Sequence, residues 1–451
     1  FLIALFWGCQ LKADPALPVV KRVQADSLAI QQVVYNDRVA PFNTLARDFV
    51  QKIYGRPSFH GITPEQVVSS WMLYPEEWNR TPIIRIKNQE LRTALGLKEE
   101  YASLNHLFDG TQYKLQPLWQ REQGNRSKLA QAIQETDEKV GLILMLRQGT
   151  LVRPLPPDVT HLSTQKVNAE LWYNRIPFSK ILFMVNLTLG FAAFGLFMFR
   201  MLTGRKEKAV SRRVWGTALC LTTLFHATGY ALRGYIRGGF PLSNGYETMQ
   251  FVALAVLLTA CLLQRRFPFT RPFGFLLSGF TLLVAYLGEM NPQITPLMPV
   301  LASPWLSWHV SLIMISYGLF AFTFLNGILA LCLIGKQKNT ASPITGEQIE
   351  QLTLLSRLLL YPGTFLLGIG IVLGAVWANV SWGSYWSWDP KEVWALTAFI
   401  IYGISFHRKS LPYFQRPWLF HGYMILAFAV VLMTYFGVNY LLGGMHSYAN
   451  S

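Results

Sequence analysis

The chain has 451 residues, of which 51% belong to the hydrophobic class, and a formal net charge of +16. The apolar residues are concentrated beyond Phe178, whereas residues 12–177 have the composition of an ordinary water-soluble domain. That region holds 21 Lys and Arg against 17 Asp and Glu, so its surface is of mixed charge. The distribution excludes a nucleic-acid-binding protein, because such proteins gather their basic residues on one face.

The chain begins with a short apolar run, Phe1-Leu-Ile-Ala-Leu-Phe-Trp-Gly, and without methionine. The run is too short to span a bilayer, and it lacks the basic segment that opens a signal peptide. We interpret residues 1–11 as the last turns of a transmembrane helix whose start is missing. On this interpretation more protein lies upstream, in the same chain or in a separate one.

Residues 12–177 alternate short β-like runs with polar, helix-like stretches. Pro82-Ile-Ile-Arg-Ile and Val140-Gly-Leu-Ile-Leu-Met-Leu are β-like, and residues 126–139 are helix-like. The pattern predicts an α+β domain. This region has no cysteine, no phosphate-binding glycine loop and no nucleophile elbow, and its histidines lack the spacing of metal ligands.

Eight apolar runs follow Phe178, and each approaches the 20 or so residues that cross a hydrocarbon core of about 30 Å. They predict an α-helical polytopic membrane protein that carries the α+β domain at its N-terminal end. We divide this part into a first helix with its loop, 178–213, and a membrane domain, 214–451, which contains a tryptophan-rich loop at 381–394. The predicted spans are 178–199, 214–232, 246–263, 273–289, 309–334, 359–380, 392–407 and 417–442.

The loops between these spans alternate sharply in charge. Loops 200–213, 264–272, 335–358 and 408–416 carry 15 Lys and Arg, and the loops at the other ends of the helices carry three. The positive-inside rule therefore places the first set in the cytoplasm. The domain 12–177, the tryptophan-rich loop and the C-terminus are then predicted to lie outside, which makes the domain extracytoplasmic.

The tryptophan-rich loop contains the segment Trp382-Gly-Ser-Tyr-Trp-Ser-Trp-Asp-Pro-Lys-Glu-Val-Trp, with four of the chain's 14 tryptophans. A belt of aromatic side chains at the lipid headgroups is the ordinary explanation for tryptophan near a membrane. It explains one or two such residues, but it requires neither Gly383 nor an acidic residue within the run. The density of aromatic rings instead indicates a flat binding surface.

Asp389 and the residues after it have the pattern of a helix start, with Asp at N-cap, Pro390 at N1 and Glu392 at N3. The free N–H groups of such a helix end attract anions. A ligand that suits both features is broad, planar and apolar, with carboxylates at one edge. Haem has this shape.

Two histidines lie at the same predicted level as the tryptophan-rich loop. His309 opens the fifth span and His446 follows the eighth, so both are candidates for axial ligands of one haem iron. His407 closes the seventh span, about 25 Å from the loop if a helix runs from Pro390 at 1.5 Å per residue. It cannot bind the same iron, and we expect it to mark a second haem site near the cytoplasmic leaflet.

The tryptophan-rich segment resembles the signature of the haem-handling proteins of cytochrome c maturation. Three other segments resemble the system II cytochrome c synthetases within that group: Trp308-His-Val-Ser-Leu-Ile-Met-Ile-Ser-Tyr, Pro241-Leu-Ser-Asn-Gly-Tyr-Glu and Gly437-Val-Asn-Tyr-Leu-Leu-Gly-Gly-Met-His-Ser-Tyr. The resemblance covers nearly the whole chain, in the order found in the C-terminal part of the fused bacterial members.

By this resemblance His309 and His446 correspond to the two external histidines that ligate haem iron, and His407 to one of two transmembrane histidines. No histidine here matches the second transmembrane one, which the family carries upstream, so a missing segment or a partner chain is expected to supply it. His226 is the alternative within this chain. The expected haem-binding residues are Trp382, Tyr385, Trp386, Trp388, Asp389, Lys391, His309, His446 and His407, with His309, His446 and Asp389 also assigned to the reaction.

The implied activity is export of haem b, followed by its covalent attachment to the Cys-x-x-Cys-His segment of apocytochrome c. The implied setting is a bacterial cytoplasmic membrane with the reaction on its periplasmic side, where proteins that reduce thiols act as partners. Two alternatives stay open. The first is a haem carrier that forms no covalent bond, and the second is a transporter for another solute, against which the scarcity of ionisable residues in the spans argues.

Overall fold

The computed structural model describes residues 17–110, 112–125, 127–203, 205–288, 290–295, 303–339, 343–407 and 409–442. The predicted helix end at 1–11, Arg408 and His446 therefore lie outside the described residues. The chain divides into two compact units, Phe1–Ile176 with Gln293–Pro296 and Pro177–Pro292 with Leu297–Ser451. We describe each unit by itself.

The first unit combines helices with three small antiparallel sheets, as expected for an α+β domain. The largest sheet has the strand order β2-β1-β7, and two-stranded sheets pair β3 with β4 and β5 with β6. Its helices are α1 (Arg22–Ala29), α2 (Phe42–Tyr54), α3 (Pro64–Leu73), α4 (Pro75–Arg80), α5 (Gln89–Ala94), α6 (Leu115–Glu122), α7 (Lys128–Arg147) and α8 (Thr164–Arg175). Its strands are β1 (Gln32–Tyr35), β2 (Arg38–Pro41), β3 (Ile84–Arg85), β4 (Tyr101–Ala102), β5 (Phe108–Asp109), β6 (Gln112–Tyr113) and β7 (Arg153–Pro154).

One β-like segment of the sequence is helical in the structure. Val140–Leu146 was expected to be a strand, but it forms the second half of α7. The side chain of Ser127 caps that helix. Buried residues recur along one face with the three- or four-residue spacing of a helix, at Ile133, Thr136, Val140 and Ile143. Because every residue from 140 to 146 except Gly141 is apolar, the local pattern hid this periodicity.

The second unit is a bundle of long helices. They are α9 (Phe178–Thr203), α10 (Ala209–Arg237), α11 (Gly245–Leu263), α12 (Thr270–Leu287), α13 (Pro304–Asn339), α14 (Pro343–Trp382), α15 (Pro390–Ile404) and α16 (Pro417–Leu432). Each of the eight predicted spans falls on one of them. The fold class predicted from the sequence, a polytopic helical membrane protein with an N-terminal α+β domain, is therefore confirmed.

Six of these helices are long and apolar enough to cross a membrane, counting only the described residues: Phe178–Arg200, Gly245–Leu263, Thr270–Leu287, Pro304–Gln337, Thr345–Trp382 and Pro417–Leu442. The other two predicted spans are helical but fall short of this standard. α15 has 15 residues. α10 is longer, but its threonines and His226 lower its mean hydropathy.

Glycines let neighbouring helices approach closely in this bundle. On α9 a β-carbon at Gly190 would lie 3.0 Å from the backbone nitrogen of Leu276, and on α12 one at Gly279 would lie 2.9 Å from that of Leu187. Small residues at helix contacts are typical of membrane bundles, where packing replaces the hydrophobic driving force. The pairing of α9 with α12 therefore depends on these two positions.

The final helix changes its hydrogen-bonding pattern along its length. It is α-helical over Pro417–Leu432 and continues as a π-helix over Met433–Leu442. π-helical segments are rare and frequently occur at functional sites. This one carries Thr434, Tyr435 and Asn439 to the cavity described below.

Candidate functional site

A cavity of about 370 Å³ lies at the end of the second unit, where the tryptophan-rich loop is found. Its size is within the usual range for a small-molecule site, and most of its walls are apolar. The loops that contribute to it are among those predicted to lie on one side of the bundle, and residues of α13, α14 and the π-helix complete its walls. Its lining includes Leu242, Ser243, Asn244, Gly245, Tyr246, Met290, Asn291, Leu306, His309, Val310, Ile313, Met314, Tyr317, Ile371, Gly374, Tyr385, Trp386, Lys391, Glu392, Tyr435 and Asn439.

His309 stands in the cavity wall on the second turn of α13 and is half-buried. Its ring nitrogen Nδ1 is 2.6 Å from the carbonyl oxygen of Gly370 on α14. Because a carbonyl oxygen can only accept a hydrogen bond, Nδ1 must carry the proton. In the neutral imidazole the lone pair is then on Nε2, which is the state that a metal ion requires of a histidine ligand.

The tryptophan-rich loop ends in the predicted helix cap. Asp389 accepts a hydrogen bond from the backbone N–H of Lys391 at 3.1 Å, and Glu392 accepts one from the N–H of Asp389 at 3.2 Å. Glu392 also accepts from the N–H of Ser387 at 2.8 Å, which holds the loop against the helix start. The cap fixes the direction in which the loop leaves α15.

The aromatic residues of this loop divide between the cavity and its surroundings. Tyr385 and Trp386 line the cavity, whereas Trp388 is exposed and stands edge-on to Trp386, with ring centroids 5.9 Å apart. Trp382 packs instead against Trp377, with ring centroids 4.8 Å apart. Of the residues expected to bind a ligand, the structure thus brings His309, Tyr385, Trp386 and Lys391 into one cavity.

Asp389 is buried and does not line the cavity; its carboxylate faces the backbone of α15. His407 lies beyond the other end of the same helix and is exposed. Beside it, the exposed rings of Tyr361 and Phe406 stack with centroids 5.1 Å apart. His446 lies outside the described residues, so the expected pairing with His309 stays a prediction.

His226, the alternative transmembrane ligand, is fully buried inside the bundle. Its Nε2 is 3.1 Å from the side-chain oxygen of Gln250, whose amide nitrogen donates to Ser179 at 2.9 Å. Its Nδ1 is buried as well. These contacts tie α10 to α11 and α9, and they place His226 away from the described cavity lining.

A buried ion-pair network supports the cavity wall formed by residues 242–246. Glu247 accepts from Nε of Arg233 at 2.8 Å and from Nη1 of Arg237 at 2.6 Å. Its second oxygen also accepts from the N–H and the hydroxyl of Ser243, both at 2.7 Å. All three charged side chains are nearly excluded from solvent, so their mutual compensation is required for the fold.

The same network extends to neighbouring parts of the wall. Nη1 of Arg233 donates to the carbonyl of Pro292 at 2.8 Å, and its guanidinium lies 5.1 Å from the ring centroid of Tyr246. The hydroxyl of Tyr230 donates to the carbonyl of Pro241 at 2.8 Å. One carboxylate therefore organises the turn from α10 into α11 and supports an aromatic ring of the cavity.

Reasoning from the sequence did not identify several lining residues, among them Tyr246, Asn291, Tyr435 and Asn439. The segment Pro241–Glu247 offered a signal for Tyr246, because it was noted for its family resemblance. Asn439 also lies in a segment that carries the resemblance, the one that begins at Gly437. Asn291 and Tyr435 are single residues near helix ends, of a kind that is common at membrane boundaries. Only the packing of the helices shows that they share a cavity.

Residues 242–446 match the family described as Cytochrome C assembly protein. Protein NrfI of Wolinella succinogenes is 32% identical over 91% of this chain and 53% of its own length, so the chain spans about half of that relative. Cytochrome c biogenesis protein CcsA is 33% identical both in Synechococcus sp. strain WH7803 and in Prochlorococcus marinus strain NATL2A. In each case 58% of this chain is aligned, with 94% and 93% of the respective relatives. The chain belongs to the cytochrome c assembly protein family.

Proposed function

We propose that the cavity binds haem b and that the chain is a holocytochrome c synthase, which attaches haem to apocytochrome c. The observation that carries the proposal is that His309, an imidazole with its lone pair on Nε2, and Trp386 line the same largely apolar cavity. An aromatic side chain can pack against the macrocycle, and Lys391 in the lining can meet a propionate.

The reaction joins two cysteine thiols of a Cys-x-x-Cys-His segment to the two vinyl groups of haem. Each thiol adds its sulfur to one vinyl carbon and its hydrogen to the other, so no group leaves and no external oxidant is consumed. The protein therefore has to hold the vinyl groups and thiols together, and such positioning can supply much of the rate. The thiols must arrive reduced, which makes thiol-reducing proteins natural partners.

In this proposal His446 supplies the second axial ligand to the iron held by His309. Asp389 contributes by capping α15 and so setting the position of Trp386 and Lys391. His407 marks a separate haem site at the other end of α15, where Tyr361 and Phe406 offer an exposed aromatic surface. A second histidine ligand for that site comes from a segment or chain outside this sequence.

The proposed location is a bacterial cytoplasmic membrane, with the cavity and the domain 12–177 on the periplasmic side. The asymmetry of Lys and Arg among the loops supports this orientation. The six long apolar helices support a multi-pass protein. Apocytochrome c and haem then meet on the side of the membrane where the loops 233–245 and 381–391 lie.

Replacing His309 with alanine tests the proposal. The haem content per protein should fall by at least about 10–100-fold. A fall of that size typically follows removal of only the hydrogen-bond partner of a metal-ligating histidine, and here the ligand itself is removed. Imidazole added to the medium should restore part of the haem by filling the vacant axial position. Haem is measured by the absorption spectrum of the purified protein, with and without reductant. His161→Ala is the matched control, because His161 is exposed in the first unit.

Co-expression with an apocytochrome c decides between a synthase and a carrier. Covalent haem that stays with the cytochrome on a denaturing gel indicates thioether formation, and its loss in His309→Ala links the reaction to the cavity. A protein that binds haem but yields no covalent product in the absence of other maturation factors is a carrier. Full haem content in His309→Ala would instead overturn the assignment of the cavity.

A further inference from the structure

The imidazole of His309 fits into a groove on α14 that two glycines form. Gly370 and Gly374 are four residues apart, so they share one face of the helix. A β-carbon at Gly374 would lie 2.6 Å from both Cε1 and Nδ1 of His309, and one at Gly370 would lie 2.6 Å from Cδ1 of Ile313. A methyl group at position 374 would therefore displace the ring of His309, and one at position 370 would displace the end of the Ile313 side chain.

We infer that Gly370 and Gly374 are positioning residues for His309, one by its carbonyl group and the other by its lack of a side chain. The inference rests on the proposed function, in which His309 ligates haem iron. The carbonyl of Gly370 fixes the proton on Nδ1 and directs Nε2 as the ligand atom. The open space at Gly374 lets the ring come within 2.6 Å of that carbonyl.

The hydrogen bond has a chemical effect beyond orientation. A histidine that donates from Nδ1 becomes a more basic ligand at Nε2, and the partner of that bond strengthens metal binding. Here the partner is a backbone carbonyl of a buried helix face, so no side-chain substitution removes it directly. Displacing the ring from the groove is the way to break it, and a methyl group at position 374 does so.

Close helix packing is the simpler explanation of glycines on α14, and the same helix provides the comparison. A β-carbon at Gly368 would lie 2.8 Å from Cε2 of Phe399, and one at Gly363 would lie 2.8 Å from Cε1 of Phe320. Those two positions meet hydrocarbon rings of other helices. Gly368→Ala therefore adds the same methyl group to the same helix, with a clash of similar depth that does not touch His309.

The experiment compares Gly374→Ala with Gly368→Ala in the full chain, purified in detergent after expression with haem available. We expect Gly374→Ala to lower haem per protein by about 10–100-fold. Imidazole in the medium should restore that haem, because the cavity itself is intact. Gly368→Ala should keep its haem per protein, and imidazole should have no effect on it. The reduced absorption spectrum reports the axial ligands in each preparation.

The double variant His309→Ala, Gly374→Ala covers the case in which Gly374→Ala alone does not accumulate. Removing the ring also removes the clash, so this protein should accumulate and load haem with imidazole as well as His309→Ala does. The inference is overturned if Gly374→Ala binds haem with the wild-type spectrum while His309→Ala loses it. It is also overturned if Gly374→Ala and Gly368→Ala lose haem equally without rescue. If His309→Ala itself keeps its haem, the proposed function fails instead.

Discussion

Trp388 is held in a backbone conformation that few bulky residues adopt. Its φ is +60°, in the left-handed region, and its side chain is 73% exposed. This conformation costs an L-residue roughly 1–2 kcal/mol, which asparagine or glycine largely avoids. Since the ring gains little burial in return, folding does not explain the tryptophan. Strain of this kind clusters at functional sites, so we expect Trp388 to serve the proposed function and not the stability of the fold.

Substitutions in this loop should separate stability from function. Trp388→Asn should raise the melting temperature, because asparagine tolerates positive φ, and yet it should lower synthesis of cytochrome c. Trp386→Ala should lose haem, whereas Trp386→Phe should keep more of it, since a flat apolar ring remains. Thermal unfolding in detergent and the haem spectrum measure these effects. If Trp386→Ala and Trp388→Asn both keep the wild-type haem content and the wild-type rate of cytochrome c synthesis, the loop is an interfacial aromatic belt and does not bind haem.

The turn between α10 and α11 depends on one carboxylate. Glu247→Gln would remove the carboxylate that pairs with the buried Arg233 and Arg237, and loss of one partner from a buried ion pair typically costs about 3–5 kcal/mol. The turn also carries Ser243 and Tyr246 to the cavity, so haem retention should fall together with stability. Both effects are measured on the same purified protein, by thermal unfolding and by absorption.

Glu207 provides a matched control for this prediction. It also lies between two arginines, at 3.2 Å from Arg200 and 2.8 Å from Arg271, but its side chain is 22% exposed and the contacts lie elsewhere in the bundle. Arg200 is 19% exposed and screened by water, whereas Arg271 is buried, so Glu207→Gln should also lower stability. It should leave haem binding intact, because neither arginine belongs to the cavity lining. Equal effects of the two substitutions would contradict a special role for the Glu247 network.

The elements themselves differ in how far the sequence predicts them. The cap at Asp389 was predictable because its residues interact with backbone three positions away, and the structure has the full capping box. The prediction of a strand at Val140–Leu146 was wrong. Which residues of this apolar run are buried depends on the packing of the rest of the domain, which the local sequence does not show. The groove that holds His309 was invisible for a similar reason: Gly370 and His309 are 61 residues apart, and nothing local relates them.

Across the whole molecule, the asymmetry of charged loops correctly grouped the segments that form the cavity. The weakly charged loops supply Ser243, Asn291, Tyr385 and Lys391 to its lining. This grouping was possible because successive helices that cross the bundle alternate in direction, so every second loop lies at the same end. The charge pattern predicts which loops lie at the same end of the bundle. It does not predict the contacts among the residues of the cavity, which depend on side-chain packing.

The proposed second haem site at His407 leads to a prediction. In cells, His407→Ala should lower haem at the external cavity, because haem would be captured less well at the other end. Purified protein of this variant should load haem added from solution as the wild type does, since His309 and Trp386 are unchanged. Imidazole in the growth medium should restore loading in cells. If His407→Ala loads haem and matures cytochrome c normally in cells without imidazole, His407 has no role in supplying haem to the cavity.

The π-helix at Met433–Leu442 has a consequence for how relatives of this chain are aligned. A π-helix accommodates an extra residue compared with an α-helix of the same length, as a single insertion would produce. Deleting one residue there would allow α-helical bonding to resume locally, whereas the same deletion in a regular α-helix would turn every later side chain by about 100° around the axis. A one-residue gap within this segment should therefore be interpreted as a local change from π-helix to α-helix, whereas a gap in the α-helix before it would change which side chains face the cavity.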